Sequence, residues 1–68
     1  MKQVSEMPTN GQFVAVWMFN NLVYSATLKW IDEKLYGYSC NNGIDDGFTA
    51  QANRDFYLMF DAQYFIAD

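Results

Sequence analysis

The sequence predicts a mainly β fold, or α+β if one short helix forms between residues 49 and 60. The expected architecture is a small, strongly bent antiparallel sheet or SH3-like barrel of four or five strands. Three observations predict it. Residues 12–30 carry the period of two that strands require. Turn-forming pairs punctuate the chain at Asn20-Asn21, Asn42-Gly43 and Asp46-Gly47. The composition, 51% hydrophobic and 19% aromatic, supplies large side chains to a chain of 68 residues, too short to bury a generous core.

Residues 1–10 are mixed and polar, with Pro8 and then Asn10-Gly11 before the first strong pattern. They read as a flexible N-terminal arm, and residues 11–68 as a single small β-rich domain.

The first strand alternates Phe13, Ala15, Trp17 and Phe19 with Gln12, Val14, Val16 and Met18. The second alternates Leu22, Tyr24, Ala26 and Leu28 with Val23, Ser25, Thr27 and Lys29. A two-residue loop at Asn20-Asn21 pairs residues whose numbers sum to 41, which sets Trp17 opposite Tyr24 and makes every pair on that face apolar or aromatic. Asn tolerates the positive φ that such a turn needs.

Asp32-Glu33-Lys34 is a polar break, after which residues 35–40 alternate again. A three-residue loop would set Trp30 beside Tyr36, Leu28 beside Tyr38 and Ala26 beside Cys40, continuing the aromatic face into a meander. Residues 41–47 hold two Gly-containing turn pairs and read as a loop. From Phe48 onward two readings stay open. Thr49 could cap a helix with Ala52, Phe56, Met59 and Phe60 on its apolar face, or residues 54–60 could form a strand turning at Asp61-Ala62. Residues 63–67 read as a final strand that closes an open edge, that of the first strand being the natural one.

The chain contains no His, so the usual general base, the commonest transition-metal ligand and imidazole triads are all missing. The expectation is a non-enzyme without cofactor or metal. Asp45-Asp46 lies in a loop that departs from the calcium-binding pattern at Ile44 and Asn53. Cys40 has no neighbouring cation and reads as a buried thiol on the core face. A single Cys, no cationic start before an apolar run, and apolar runs far too short to span a bilayer make the cytoplasm the expected compartment.

Eight acids against four scattered bases give a net charge of −4, which disfavours direct nucleic-acid binding. Three sets of side chains are candidates for contact with partners. The acidic loops Asp32, Glu33, Asp45 and Asp46 suit a basic surface. Val14, Val16, Met18 and Val23 form an apolar cluster on the reverse face of the hairpin, which either the segment from Phe48 onward covers or a partner or second copy does. Tyr57 is the candidate exposed aromatic, because a helix that buries Phe56 and Phe60 turns it outward. Tyr36, Tyr38, Phe56 and Tyr64 read as core by parity.

These features point to an intracellular protein-interaction module that occupies a surface on a larger protein or nucleoprotein with a basic face. Acidic single domains of this size are frequent among phage and mobile-element inhibitors of host nucleic-acid machinery, including anti-CRISPR proteins. The alternatives are a small-barrel module that holds a peptide or short single strand on its aromatics, and a structural protein that self-associates on the valine cluster.

Overall fold

The structure is a computed structural model and describes residues 1–40 and 42–68. Six strands and one helix follow in the order β1 (Lys2–Val4), β2 (Gln12–Phe19), β3 (Leu22–Ile31), β4 (Lys34–Asn41), β5 (Ile44–Gln51), α1 (Arg54–Met59) and β6 (Gln63–Ile66). The strands form one antiparallel sheet in the order β1-β6-β2-β3-β4-β5. It is mainly β as expected, with six strands rather than four or five. β1 and β5 remain as separate edges, so the sheet does not close into a barrel.

The β2–β3 hairpin has the expected register throughout, from Gln12 opposite Lys29 to Phe19 opposite Leu22, with Trp17 across from Tyr24. Asn20 and Asn21 take φ of 52° and 63°, the left-handed pair whose twist matches the strands beside it. The ladder runs one residue further, where the Trp30 N–H donates to the Gly11 carbonyl at 3.0 Å. In such a ladder alternate residues exchange hydrogen bonds with the partner strand. Even-numbered residues of β3 therefore bond to β2, and the N–H and C=O groups of odd-numbered ones point to the other side.

The next connection corrects the expected three-residue loop. Asp32 and Glu33 alone turn the chain, at φ of 51° and 67°, and Ile31 pairs with Lys34, Trp30 with Leu35 and Leu28 with Gly37. The slip of one residue puts Leu35 on the core face and moves Tyr36, Tyr38 and Cys40 to the other. Tyr38 and Cys40 are exposed, so Cys40 is not the buried thiol expected. The physical reason is that a two-residue turn preserves the strand twist, and burying Leu35 outweighs the strain of two non-glycine residues in the left-handed region.

That strain is open to test. The double substitution Asp32→Asn, Glu33→Gly should raise stability by about 1 kcal/mol and the thermal midpoint by about 4–8 °C. A fall in the midpoint in a thermal melt would contradict the turn.

Residues 41–47 are a hairpin rather than a loop, although residue 41 itself lies outside the described residues. Asn42 and Gly43 turn the chain at φ of 53° and 78°, and β5 runs back along β4. The register shifts twice, between Ser39 and Cys40 and between Gly37 and Tyr38. At the first shift Gly47 takes φ 69°, the conformation glycine supplies to a bulge.

A second feature lies on the other side of β4. β3 and β4 pair only from Leu28–Gly37 to Ile31–Lys34. Beyond Leu28 the two hairpins continue to the same end of the sheet without pairing.

β6 fills the edge of β2, with Ala15 opposite Tyr64, as the final strand was expected to do. Its other side takes β1, Val4 opposite Tyr64. The segment read as a flexible arm therefore contributes a strand. It is tied again where the Trp30 Nε1–H donates to the Pro8 carbonyl oxygen at 2.8 Å.

The core lies on one face of the sheet. Phe13, Ala15, Leu28, Leu35, Tyr57 and Tyr64 are buried there, with Val4, Met7, Trp17, Trp30 and Ile66 packed around them. Fully burying a side chain the size of Phe13 or Leu28 contributes about 1.5–3 kcal/mol each.

Candidate interaction site

The helix decides where the site forms. β5 holds residues as far as Gln51, so Asn53 rather than Thr49 caps α1, its side-chain oxygen accepting from the Asp55 N–H at 2.9 Å. Starting there, the helix turns Tyr57 onto the sheet, where it is 8% exposed, and leaves Met59 in solvent. The candidate exposed aromatic is thus a core residue, and burial pushes its hydroxyl pKa up.

Phe56, expected inside, stands at the rim instead. Its ring meets Trp17 edge-on at 5.5 Å and Phe60 at 4.9 Å. Trp17 stacks on Tyr24 at 5.9 Å and takes the edge of Tyr57 at 5.2 Å. Phe19 meets Phe60 edge-on at 5.6 Å.

Five of these rings, Trp17, Phe19, Tyr24, Phe56 and Phe60, line an opening of about 240 Å³ with no polar surface in its walls. It sits on the core face at the Asn20-Asn21 end, where the helix stops short of the hairpin tip. Phe19 and Leu22 remain 47% and 59% exposed beside it. Sequence reasoning placed all of these side chains on the core face and missed the opening, because it depends on how far α1 reaches. The signal was Asn53, a better cap than Thr49 by position, four residues ahead of Tyr57.

The acidic candidates are not brought together. Asp32 and Glu33 sit at one end of β4, and Asp45 and Asp46 lie in β5 beside the other end, about 25 Å of strand away. Only Asp45-Asp46 lies at the same end as the aromatic opening. Asp45 is also part of the fold: its carboxylate accepts from the Gly47 N–H at 2.8 Å, across the bulge. The Tyr38 hydroxyl and then that N–H hold its carboxyl below the usual carboxylate range.

A depressed carboxyl adds stability that is present above its ordinary pKa and lost as pH falls through the lower folded value. The β4–β5 hairpin should accordingly loosen only below the ordinary carboxylate range, and Asp45→Asn should abolish that step. Following the Gly47 amide resonance through an acid titration checks both.

Val14, Val16, Met18 and Val23 share the face opposite the core. α1 packs on the Trp17 side, so the segment from Phe48 onward does not place its helix over them. Val14 and Val16 are half-buried between strands, with Phe65 across from Val14, while Met18 and Val23 at the tip are exposed. Further along this face Lys29 lies over the Phe48 ring at 5.6 Å, and Tyr38 meets that ring edge-on.

A larger opening, about 560 Å³, lies between the N-terminal segment and the helix. Met7, Trp30, Arg54, Asp61 and Tyr64 line it, and the buried Tyr64 hydroxyl has no hydrogen-bond partner among the described residues. Charges of both signs stand around it, so it selects no class of ligand. Among the described residues no three His, Cys, Asp or Glu side chains gather to hold a metal ion. No helix among the described residues is long and apolar enough to cross a membrane. No protein-family model, curated protein or solved structure matches the chain.

Proposed function

We propose that the protein is a non-enzymatic interaction module that binds a larger protein or nucleoprotein partner. It inserts an apolar side chain of that partner into the cup formed by Trp17, Phe19, Tyr24, Phe56 and Phe60. One observation carries the reading: an opening walled only by aromatic rings is left unfilled, although the same face is sealed one turn further down the hairpin. Tight interfaces concentrate their energy in Trp and Tyr at desolvated pockets of this kind.

Asp45-Asp46 at the same end gives the cup an acidic flank, which favours approach to a basic surface and speeds association at low salt. An inhibitor that blocks a nucleic-acid-binding surface of a host enzyme would use both features together, whether phage-encoded or carried by another mobile element. The one exposed thiol, Cys40, suits the reducing cytoplasm such a partner occupies.

Selection from a displayed library of linear peptides tests the reading. The expected result is enrichment of sequences with a large apolar anchor flanked by Lys or Arg, and loss of their binding by Phe19→Ser, a half-exposed position whose replacement leaves folding intact. No enrichment, or binding of an oligothymidine at physiological salt in its place, overturns it.

A further inference from the structure

Among the described residues the sheet has two outer edges and an internal unpaired stretch, and they are not alike. β1 is three residues long and carries Lys2, and β5 carries Asp45, Asp46 and two bulges. Short strands, charges and bulges are the devices that keep edges from recruiting other chains. The third edge is internal. Where β3 runs past its last pair with β4, residues 22–27 read Leu-Val-Tyr-Ser-Ala-Thr, without a charge, a proline or a bulge. The outward N–H and C=O groups of Val23 and Ser25 have no strand beside them, and Thr27 borders the last pair of the ladder, Leu28 with Gly37.

Tyr24, on the core face of this stretch, is also a wall of the aromatic cup. We infer that the residue 22–27 edge of β3 is a docking edge for an extended segment of the partner, which joins the sheet as an added strand. Its apolar side chains enter on the cup side, and alternate basic ones lie on the opposite face. This inference rests on the proposed function and specifies how the partner is held.

Backbone bonds at every second residue would fix the segment, and the period of two would deliver one side chain in each pair to the cup. Charge selects the occupant. No Lys or Arg lies in residues 22–27 or among the cup residues, and Asp45 and Asp46 stand at the same end of the sheet, on β5 beyond β4. A basic segment is attracted there. A second copy of this chain, itself at −4, is repelled.

The probe is a capped synthetic peptide of alternating lysine and phenylalanine, titrated into the intact protein with amide exchange followed residue by residue. At saturation the Val23 and Ser25 amides should exchange at least about tenfold more slowly. Methylating one alternate set of peptide amides should abolish binding while methylating the other leaves it. Ser25→Pro removes only an outward N–H and should weaken binding about tenfold or more.

Binding that Phe19→Ser abolishes, with those two amides unprotected or with methylation of either set equivalent, overturns strand addition and leaves the apolar cup standing. A peptide that does not bind at all overturns both. Protection of the two amides in the free protein together with a dimer in light scattering assigns the edge to a second copy and overturns the inference.

Discussion

Phe13→Ala is expected to cost about 3–5 kcal/mol. Phe13 is 1% exposed, pairs across the ladder with the fully buried Leu28, and takes the Tyr64 ring edge-on at 6.0 Å. It thereby joins the hairpin to the strand that closes its other side. A domain of this length has about 3–10 kcal/mol of stability in total, so the variant should be largely unfolded at 37 °C. Urea titration followed by tryptophan fluorescence measures the loss. A shift worth less than about 1 kcal/mol would mean that the core lies elsewhere.

Trp17→Ala is expected to cost about 2–4 kcal/mol, less than Phe13→Ala because the indole is only partly covered. The loss has identifiable parts. Trp17 stacks on Tyr24 and receives the edges of Phe56 and Tyr57, and each aromatic pair adds about 0.5–1.5 kcal/mol beyond the area it buries. A double-mutant cycle with Tyr57→Leu should show a coupling of that size. The same substitution removes the floor of the cup, so binding of an apolar anchor is lost as well. Comparison with Phe19→Ser separates the two effects: stability falls much further in Trp17→Ala, and binding falls in both. A Trp17→Ala protein as stable as the parent would place the indole outside the packing described.

Where the turn residues advertised their geometry, the sequence could be read to the residue. Asn20-Asn21 announces left-handed backbone, and two alternating arms leave only one register that keeps apolar side chains together. Asp32-Glu33 occupies the same backbone region without announcing it, because Glu, unlike Asn or Asp, is not enriched at positive φ. A turn read as one residue too long then reversed the facing of Tyr36, Tyr38 and Cys40.

The β4–β5 hairpin was hidden for a different reason. Its turn pair, Asn42-Gly43, is a strong signal, but two bulges break the alternation of β5, so residues 44–51 show no clean period. The helix was half legible. Its spacing allowed a helix but equally a strand over residues 54–60, and its facing depended on which of Thr49 and Asn53 capped it. Moving the cap by four residues places Tyr57 rather than Phe56 at the sheet and opens the aromatic cup. That cup is made by residues far apart in sequence, and only the reach of α1 over β2 brings them together.

β6 lies between β1 and β2, and it is the only neighbour β1 has. Residues 12–51 can zip up as successive local hairpins while the chain is still being synthesised. The earliest residues must wait for the last strand before they gain a place. Folding should consequently show a fast meander phase and a slower closing phase, the second depending on contacts more than 60 positions apart, such as Lys2 with Ile66. Shortening the C-terminus through residue 63 would unzip both ends of the chain at once.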